Sequence, residues 1–308
     1  MRGARRVAAP PRARGSSLHG ERHLSADAFL ARARSWLLRA EVENNVLLGV
    51  AEAFRGRDGA EFVTVEAEGR LVACAGRVPP RGLVASAPPE RPPGTAEALL
   101  DGFGAALTSL PSVMAPDGPA QELAAAWCAR TGGRAWVRVR QRLYALAEVD
   151  PALACATGRL RPARLEDLES LTLWVSDFLR DVETSDPTPP RELARQRLAS
   201  GDLHVWEEGG VPVSMAGATG RTEHTVRVSL VYTPPEQRRK GFARACVAAL
   251  SQALLDRGFR ACCLYADREA PGRAALYTGI GYRPVVDALE ISLKAAPASG
   301  RKTLKVAP

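Results

Sequence analysis

The sequence predicts an α/β (α+β) protein of two domains, each built on a mixed, largely antiparallel sheet flanked by helices. Its 308 residues exceed the usual size of one domain, so two domains of about 130–150 residues are expected. Apolar residues with a period of two alternate with helical spacings of three and four along both halves. Glycine turns join neighbouring strands, which favours antiparallel hairpins.

The composition is that of a globular protein with basic ends. Hydrophobic residues make up 46% and charged residues 25%, which allows a sizeable core without disulfides or metal. The net charge of +8 comes from the termini: residues 1–22 hold six arginines and one glutamate, and residues 295–308 hold three cations. Residues 23–294 are therefore close to neutral. Neither tail has an aromatic residue to stack on bases, so nucleic acid is not an expected partner.

The cysteines favour a reducing, cytoplasmic location. No C-x-x-C pair and no cysteine–histidine cluster with metal-ligand spacing occurs, so no metal is expected. No run of about 18 apolar residues occurs, so a membrane span is not expected. Residues 1–22 lack the apolar region of a secretory signal and are interpreted as a disordered basic tail, as are residues 295–308.

The first domain is predicted at residues 23–150. Its expected elements are a helix from Ser25, a strand at 46–54, a hairpin at 62–76, a proline-rich loop at 77–94, helices at 96–107 and 119–130, and strands at 113–116 and 135–146. In the last strand Arg138, Arg140 and Arg142 alternate with apolar residues, which predicts a solvated face.

The second domain is predicted at residues 156–294, after a linker at 147–157. Its expected elements are a short strand at 158–163, helices from 166 and at 190–199, strands at 203–207, 211–219 and 225–233, a helix from 242, a strand at 261–265, a helix near 273–278, and strands near 282 and at 289–293.

The stretch from Thr225 to Gly258 carries the main functional signal. Alternating residues predict a strand that stops before Pro234, and the apolar spacing from Phe242 predicts a helix. A helix start presents unpaired N–H groups and about half a positive charge. Gly241 permits close approach of a ligand, and the adjoining cations suit a diphosphate.

These residues resemble a known family. Arg238-x-x-Gly241-x-Ala243 is similar to the R/Q-x-x-G-x-G/A element of the GNAT superfamily of N-acetyltransferases, which lies on the same strand–turn–helix. The resemblance implies two acetyltransferase-like domains, of which the first is degenerate, and acetyl-CoA as co-substrate. The implied cofactor-binding residues are Val231, Tyr232, Thr233, Arg238, Arg239, Lys240, Gly241, Phe242, Ala243 and Arg244. Residues 92–97, at the corresponding place in the first half, lack the element, so one cofactor site per chain is expected.

A second element concerns the proton transfer. Residues 276–282 resemble the family's L-Y-x-x-x-G-F/Y element, which implies that Tyr277 is the general acid for the departing thiolate. A phenol with a pKa of about 10 suits that role. The chain departs from the family at Ala270, where an asparagine is common; Asp267 or Glu269 could replace its polar contact.

The general base and the acceptor stay open. Candidate bases are Asp181, Glu183, Glu223 and His224, or a water. The predicted function is acetyl-CoA-dependent transfer of an acetyl group to a small-molecule or peptide amine. The alternatives are a non-catalytic module that senses acyl-CoA or binds a partner on the same fold and, less favoured, nucleic-acid binding by the tails.

Overall fold

The computed structural model of the protein describes residues 18–86, 88, 90–104, 107, 110–150, 156–182 and 187–296. Within these residues, twelve strands form one continuous mixed sheet and eight α-helices cover it. The predicted fold class, a mixed α/β protein with a mostly antiparallel sheet, is confirmed.

The two halves repeat one order of elements, β-α-α-β-β-β-α-β-α-β. The first half contains β1 (Leu18–His23), α1 (Ala26–Leu37), α2 (Asn45–Ala53), β2 (Glu61–Ala67), β3 (Arg70–Arg77), β4 (Leu83–Ser86), α3 (Thr95–Phe103), β5 (Ser112–Pro116), α4 (Asp117–Thr131) and β6 (Arg134–Leu146). The second half contains β7 (Arg159–Pro162), α5 (Leu168–Asp181), α6 (Pro190–Ala199), β8 (Leu203–Glu208), β9 (Val211–Thr219), β10 (Thr225–Tyr232), α7 (Phe242–Asp256), β11 (Ala261–Asp267), α8 (Pro271–Thr278) and β12 (Arg283–Lys294).

The halves exchange their last strands. The sheet order is β1-β2-β3-β4-β5-β12-β6-β11-β10-β9-β8-β7, so β12 of the second half pairs with β5 of the first, and β6 of the first pairs with β11 of the second. The two exchanged strands also pair with each other along most of their length. Neighbouring strands are antiparallel except β4–β5 and β10–β11, which are parallel.

Charged pairs at Arg138 and Arg142 join the exchanged strands, which corrects the prediction of a solvated arginine face in part, since Arg140 is 47% exposed. The Arg142 guanidinium donates to both carboxylate oxygens of Asp287, over 2.5 and 3.0 Å. Arg138 is largely buried and forms an ion pair with Glu290. Both carboxylates lie on β12, which is far from β6 in sequence, so alternation along β6 alone could not reveal them.

The predicted strand at 46–54 is wrong, because this segment is helix α2. Leu47, Leu48 and Ala51 are buried together on one face of the helix and pack in a cluster with Phe62 of β2. A helix buries this set of positions on one side, whereas a strand would separate Leu47 from Leu48. The predicted hairpin at 62–76 is confirmed as β2 and β3, and the helix at 190–199 is confirmed as α6.

Two further predictions need correction at the ends of the chain. Residues 18–22, assigned to a disordered tail, lie in β1, which pairs antiparallel with β2 and continues the sheet. Apolar and polar residues hardly alternate along β1, but its backbone is paired with β2. Short polar strands of this kind are tolerated at the edge of a sheet. Strands expected near 282 and at 289–293 are one strand, β12, interrupted by two irregularities in register. Residues 1–17 and 297–308 lie outside the described residues.

Candidate active site

Strands β10 and β11 separate and open a wedge in the sheet. Their parallel pairing covers only Thr225 to Arg227, opposite Ala261 to Cys263. Beyond this point β10 has a bulge between Ser229 and Tyr232 in its pairing with β9, and Leu230 adopts a left-handed φ of 51°. A bulge bends its strand, so β10 turns away from β11. The bulge thus leaves backbone groups of β10 at the edge of the wedge.

The turn between β10 and α7 holds the side chain of Arg238 in place. Arg238 donates from Nε to the Thr233 carbonyl oxygen over 2.9 Å, and its guanidinium lies 5.6 Å from the centre of the Tyr232 ring. Arg239 and Gly241 have φ values of 64° and 84°, which reverse the chain into the helix. Gly241 is the N-cap and provides no side chain, so the first N–H groups of α7 are open to an incoming acceptor.

A cleft of about 740 Å³ lies between this turn, the end of β10 and helix α8. Nine of the ten predicted cofactor-binding residues line it: Val231, Tyr232, Thr233, Arg238, Arg239, Gly241, Phe242, Ala243 and Arg244. Lys240 is the exception; its ammonium instead donates to the side-chain oxygen of Gln237 over 3.0 Å. Arg244 also donates to the Gly279 carbonyl oxygen over 2.8 Å and so ties α7 to the end of α8. We call this space the cofactor cleft.

Tyr277 lies in the wall of the cofactor cleft, at the position the sequence predicts. It is 7% exposed and packs beside Tyr144 and Tyr282, with ring centres 6.5 and 6.0 Å away. Burial raises the pKa of its hydroxyl to about 12, against a smaller opposing effect of the Arg273 charge. The phenol is therefore protonated at neutral pH. Tyr282 is buried, and its hydroxyl shares a hydrogen bond of 2.8 Å with Ser251.

A second cavity of about 470 Å³ adjoins the cofactor cleft, and we call it the acceptor chamber. It is lined by Val137, Arg138, Val139, Arg140, Gln141, Phe178, Asp181, Val182, Tyr265, Asp267, Glu269, Arg273 and Glu290. Phe178, Asp181 and Arg273 line both spaces. One wall is β6 from the first half. Strand exchange brings the lining residues of β6 and β12 together, and spacing along the sequence does not reveal this pairing.

The structure separates the candidate bases. Asp181 lies at the boundary of the cofactor cleft and the acceptor chamber, with a carboxylate oxygen 3.6 Å from the Arg238 guanidinium. His224 precedes β10 at the paired end of the wedge, and its Nδ1 lies 2.9 Å from a carboxylate oxygen of Glu41. Glu223 accepts from Arg34 in α1 over 3.0 Å. His224 and Glu223 thus belong to a contact between the halves, about 20 Å along β10 from the cleft. Glu183 lies outside the described residues.

Asp267 and Glu269, considered as replacements for the polar contact missing at Ala270, line the acceptor chamber instead of the cofactor cleft. Asp267 accepts the backbone N–H of Glu269 over 2.8 Å. Ala270 is the N-cap of α8 and forms no side-chain capping bond.

The first half has the same strand–helix geometry without an open wedge. β4 and β5 pair in parallel only at Leu83–Val113 and Val84–Met114, and the space beyond measures only about 20 Å³. Helix α3 likewise begins after a glycine with positive φ, Gly94, but the adjoining hollow is lined by Glu97 and Glu122 and by one cation, Arg91, which is paired with Glu122. The lining of this hollow includes one cation, whereas the α7 turn offers a diphosphate three arginines, Arg238, Arg239 and Arg244.

In the described part of the chain, no group of three or more histidine, cysteine or acidic side chains could hold a metal ion. None of the described helices is both long and apolar enough to cross a membrane.

Comparison with known protein families finds a match in the second half of the chain. Residues 168–282 match the sequence profile described as the acetyltransferase (GNAT) family. No curated protein matches the sequence. The match spans the strand–turn–helix of the cofactor cleft and Tyr277.

Solved structures resemble most of the chain. A GCN5-related N-acetyltransferase from Sphaerobacter thermophilus superposes with a TM-score of 0.60 at 17% identity, covering 90% of this chain and 95% of that one. A Drosophila protein has a TM-score of 0.58 at 12% identity, covering 86% and 87%. A GCN5-related N-acetyltransferase from Kribbella flavida has a TM-score of 0.50 at 19% identity, covering 73% and 87%. These likenesses show the fold alone, and the profile match places a domain of the GNAT family at residues 168–282, which make up less than half of the chain.

Proposed function

We propose that the protein is an N-acetyltransferase that binds acetyl-CoA in the cofactor cleft and transfers the acetyl group to an amine in the acceptor chamber. The observation that carries this proposal is the cleft itself. It runs from the open edge of β10 to the start of α7, where backbone donors and guanidinium groups adjoin one another, with Tyr277 in its wall.

Each end of the cleft suits one part of the co-substrate. The N–H groups at the start of α7, with Arg238, Arg239 and Arg244, would hold the pyrophosphate, because a helix start favours anions. Lys240, which does not line the cleft, would add positive charge close to the pyrophosphate. The backbone of β10 around Val231 to Thr233 would hold the pantetheine arm, since its bulge leaves groups unpaired by β11.

The chain's own groups account for most of the reaction. Acetyl-CoA would supply the acetyl group as a thioester, which the neutral amine of the acceptor attacks. Backbone N–H groups at the β10 bulge would stabilise charge on the carbonyl oxygen. Tyr277 would donate its hydroxyl proton to the departing thiolate. Among the described candidate bases, Asp181 alone lines the cleft, so we assign to it the removal of the amine proton, directly or through water.

We place one such site in each chain. The first half then serves the second, because its strand β6 builds a wall of the acceptor chamber. Residues 23–150 are, in this view, a degenerate copy of the domain at 156–294. The buried free thiols of Cys74, Cys246, Cys262 and Cys263 fit a reducing compartment such as the cytoplasm.

Binding of acetyl-CoA tests the proposal directly. In Gly241→Asp, a carboxylate faces the position proposed for the pyrophosphate, and a non-glycine residue must adopt a φ of 84°. We expect calorimetry to show saturable binding to the wild-type protein and a loss of about 100-fold or more in affinity in the variant, since placing like charges together costs several kcal/mol.

The other end of the same helix provides a matched control. Gly258 is exposed, has a φ of 99° and has no atom within 4 Å of an added Cβ, so Gly258→Asp imposes the same charge and strain away from the cleft. This variant should bind acetyl-CoA as the wild type does. A wild-type protein without affinity for any acyl-CoA would exclude the proposed function.

A non-catalytic acyl-CoA-binding protein is the second candidate. It is favoured by the ion pair of Asp181 with Arg238, which engages the assigned base, and by the uncapped start of α8 at Ala270. In this case acyl-CoA would bind and persist without release of free thiol across a broad panel of amines. Release of thiol with any amine of that panel decides for the enzyme.

A further inference from the structure

The acceptor chamber has an unusual cation on its wall, Arg138 of β6. Its side chain is only 14% exposed and forms an ion pair with Glu290, which is 16% exposed. The Nε and Nη1 atoms of Arg138 are both buried and have no hydrogen-bond partner among the described residues. Buried guanidinium donors without acceptors are unfavourable, so this arginine is suited to receive an anion in the chamber.

Arg138 lies along β6 beyond the last residue of β11. Gln141 of β6 pairs with Asp267, the last residue of β11. Arg138 is three residues further along β6, about 10 Å beyond that pair. The residues shared with the cofactor cleft, Asp181 and Arg273, lie on other elements at the boundary between the two spaces.

The remaining charges of the chamber include two carboxylates that suit an amine. Asp181, at the boundary with the cofactor cleft, and Asp267 can hold an amine before it reacts. Arg140 and Glu269 lie 3.6 Å apart and are 47% and 74% exposed, so they occupy the solvent side. The chamber thus offers carboxylate acceptors for an amine and, at Arg138, guanidinium donors for an anion.

We propose, resting on the proposed function, that the acceptor is an amine joined through a spacer to an anionic group of the carboxylate class, which binds Arg138. The spacer follows from the separation of about 10 Å along β6 between Arg138 and the Gln141–Asp267 pair, because Asp267 is one of the carboxylates that can hold the amine. A volume of about 470 Å³ suits a small molecule rather than a folded protein surface, although an acidic peptide end could also enter.

Pairs of acceptors that differ only in charge test this inference. We choose ω-amino acids of increasing chain length and their primary amides, and measure release of thiol from acetyl-CoA. For the best chain length, we expect kcat/KM of the wild-type protein to favour the carboxylate about 10- to 100-fold, as a charge-assisted hydrogen bond provides. A ratio near one at every length would overturn the proposal.

The variant must not leave a buried charge behind. Arg138→Gln alone would leave Glu290 without its guanidinium partner, so we use the double variant Arg138→Gln with Glu290→Gln. It should reduce the carboxylate preference, the ratio of kcat/KM for the carboxylate to kcat/KM for its amide, to near one. Retention of the wild-type preference in this variant would reject Arg138 as the anion site.

The chain contains a matched control on the same two strands. Arg142 and Asp287 also join β6 to β12, but neither lines the chamber. Arg142→Gln with Asp287→Asn should therefore keep the carboxylate preference. If it lost the preference equally, the effect would stem from loosening of the strand pair, and the anion site would be rejected.

Binding separates failure of this inference from failure of the proposed function. Calorimetry of the same acceptor pairs, with the protein saturated by CoA, measures the carboxylate preference without turnover. No thiol release with any amine would reject the enzyme, whereas equal affinity for carboxylate and amide would reject the inference alone.

Discussion

Tyr277 illustrates how one residue's surroundings set its chemistry. The hydroxyl lies among aromatic rings in the wall of the cofactor cleft, and burial holds its pKa at about 12. Because this value exceeds that of an exposed tyrosine, the phenol keeps its proton across the range in which an amine becomes neutral. In the unfolded chain this tyrosine ionises above about pH 10, whereas in the folded protein it stays protonated. Rising pH therefore favours the unfolded state from about pH 10, and activity is best compared below that pH.

Replacement of this phenol should reduce turnover more than binding. We expect Tyr277→Phe to lower kcat about 100-fold or more, as loss of a general acid does, while the Kd for acetyl-CoA stays within a few fold. In the wild type, kcat should not decline with rising pH up to about 10, since the acid stays protonated. The measurements are steady-state kinetics across pH and calorimetry.

Tyr282→Phe is the matched comparison, because that hydroxyl contacts Ser251 and does not line the cofactor cleft. It should retain kcat. Unchanged turnover in Tyr277→Phe would remove the acid role from Tyr277.

Single residues of the site differ in how visible they are in the sequence. Tyr277 and the cations around Gly241 stand in short local patterns, and the strand–turn–helix that positions them is contiguous. Arg138 is different, because its partner Glu290 is brought to it only by pairing of β6 with β12. Alternation along one strand identifies a face, but it does not show what covers that face.

At the scale of elements, sequence patterns identify an element where apolar and polar residues are clearly separated along the sequence, and they do not identify α2 and β1. The hairpin β2–β3 and the helix α6 follow from turn residues and apolar spacing. Helix α2 was misassigned because its nine residues are mostly apolar, and a short apolar run does not distinguish a helix from a strand. β1 was missed because its residues are mostly polar and its support comes from β2 and α3.

The contact of β1 with α3 can be tested through Gly20. A Cβ at this position would collide with the backbone carbonyl oxygen of Ala98, which cannot move without distorting α3. We expect Gly20→Ala to lower the free energy of unfolding by about 1–3 kcal/mol, the usual effect of overpacking, as measured by urea denaturation. His19→Ala, at an exposed neighbouring position, should change it by less than about 0.5 kcal/mol. Equal stability of the two variants would argue against β1.

For the whole molecule, the exchange of β6 and β12 makes the two halves one sheet. Length and the order of elements predict two units, but they carry no information on which strand pairs with which. The exchange depends on pairing between strands more than 130 residues apart in sequence, as in Ala145 opposite Arg283. It has a functional consequence, since the acceptor chamber has walls from both halves and exists only in the joined molecule.

A continuous sheet with exchanged strands should also unfold as one unit. Phe103 is 1% exposed in the core of the first half, and its truncation to alanine should cost about 3–5 kcal/mol. If the halves are coupled, Phe103→Ala should increase hydrogen exchange in α7 of the second half, measured by mass spectrometry in mild denaturant, as much as in β2 of the first. Leu24→Ala, at a side chain 93% exposed, should leave both segments unchanged. If hydrogen exchange increased in β2 and stayed unchanged in α7, the halves would unfold independently. The exchanged strands would then not couple the acceptor chamber to the stability of the first half.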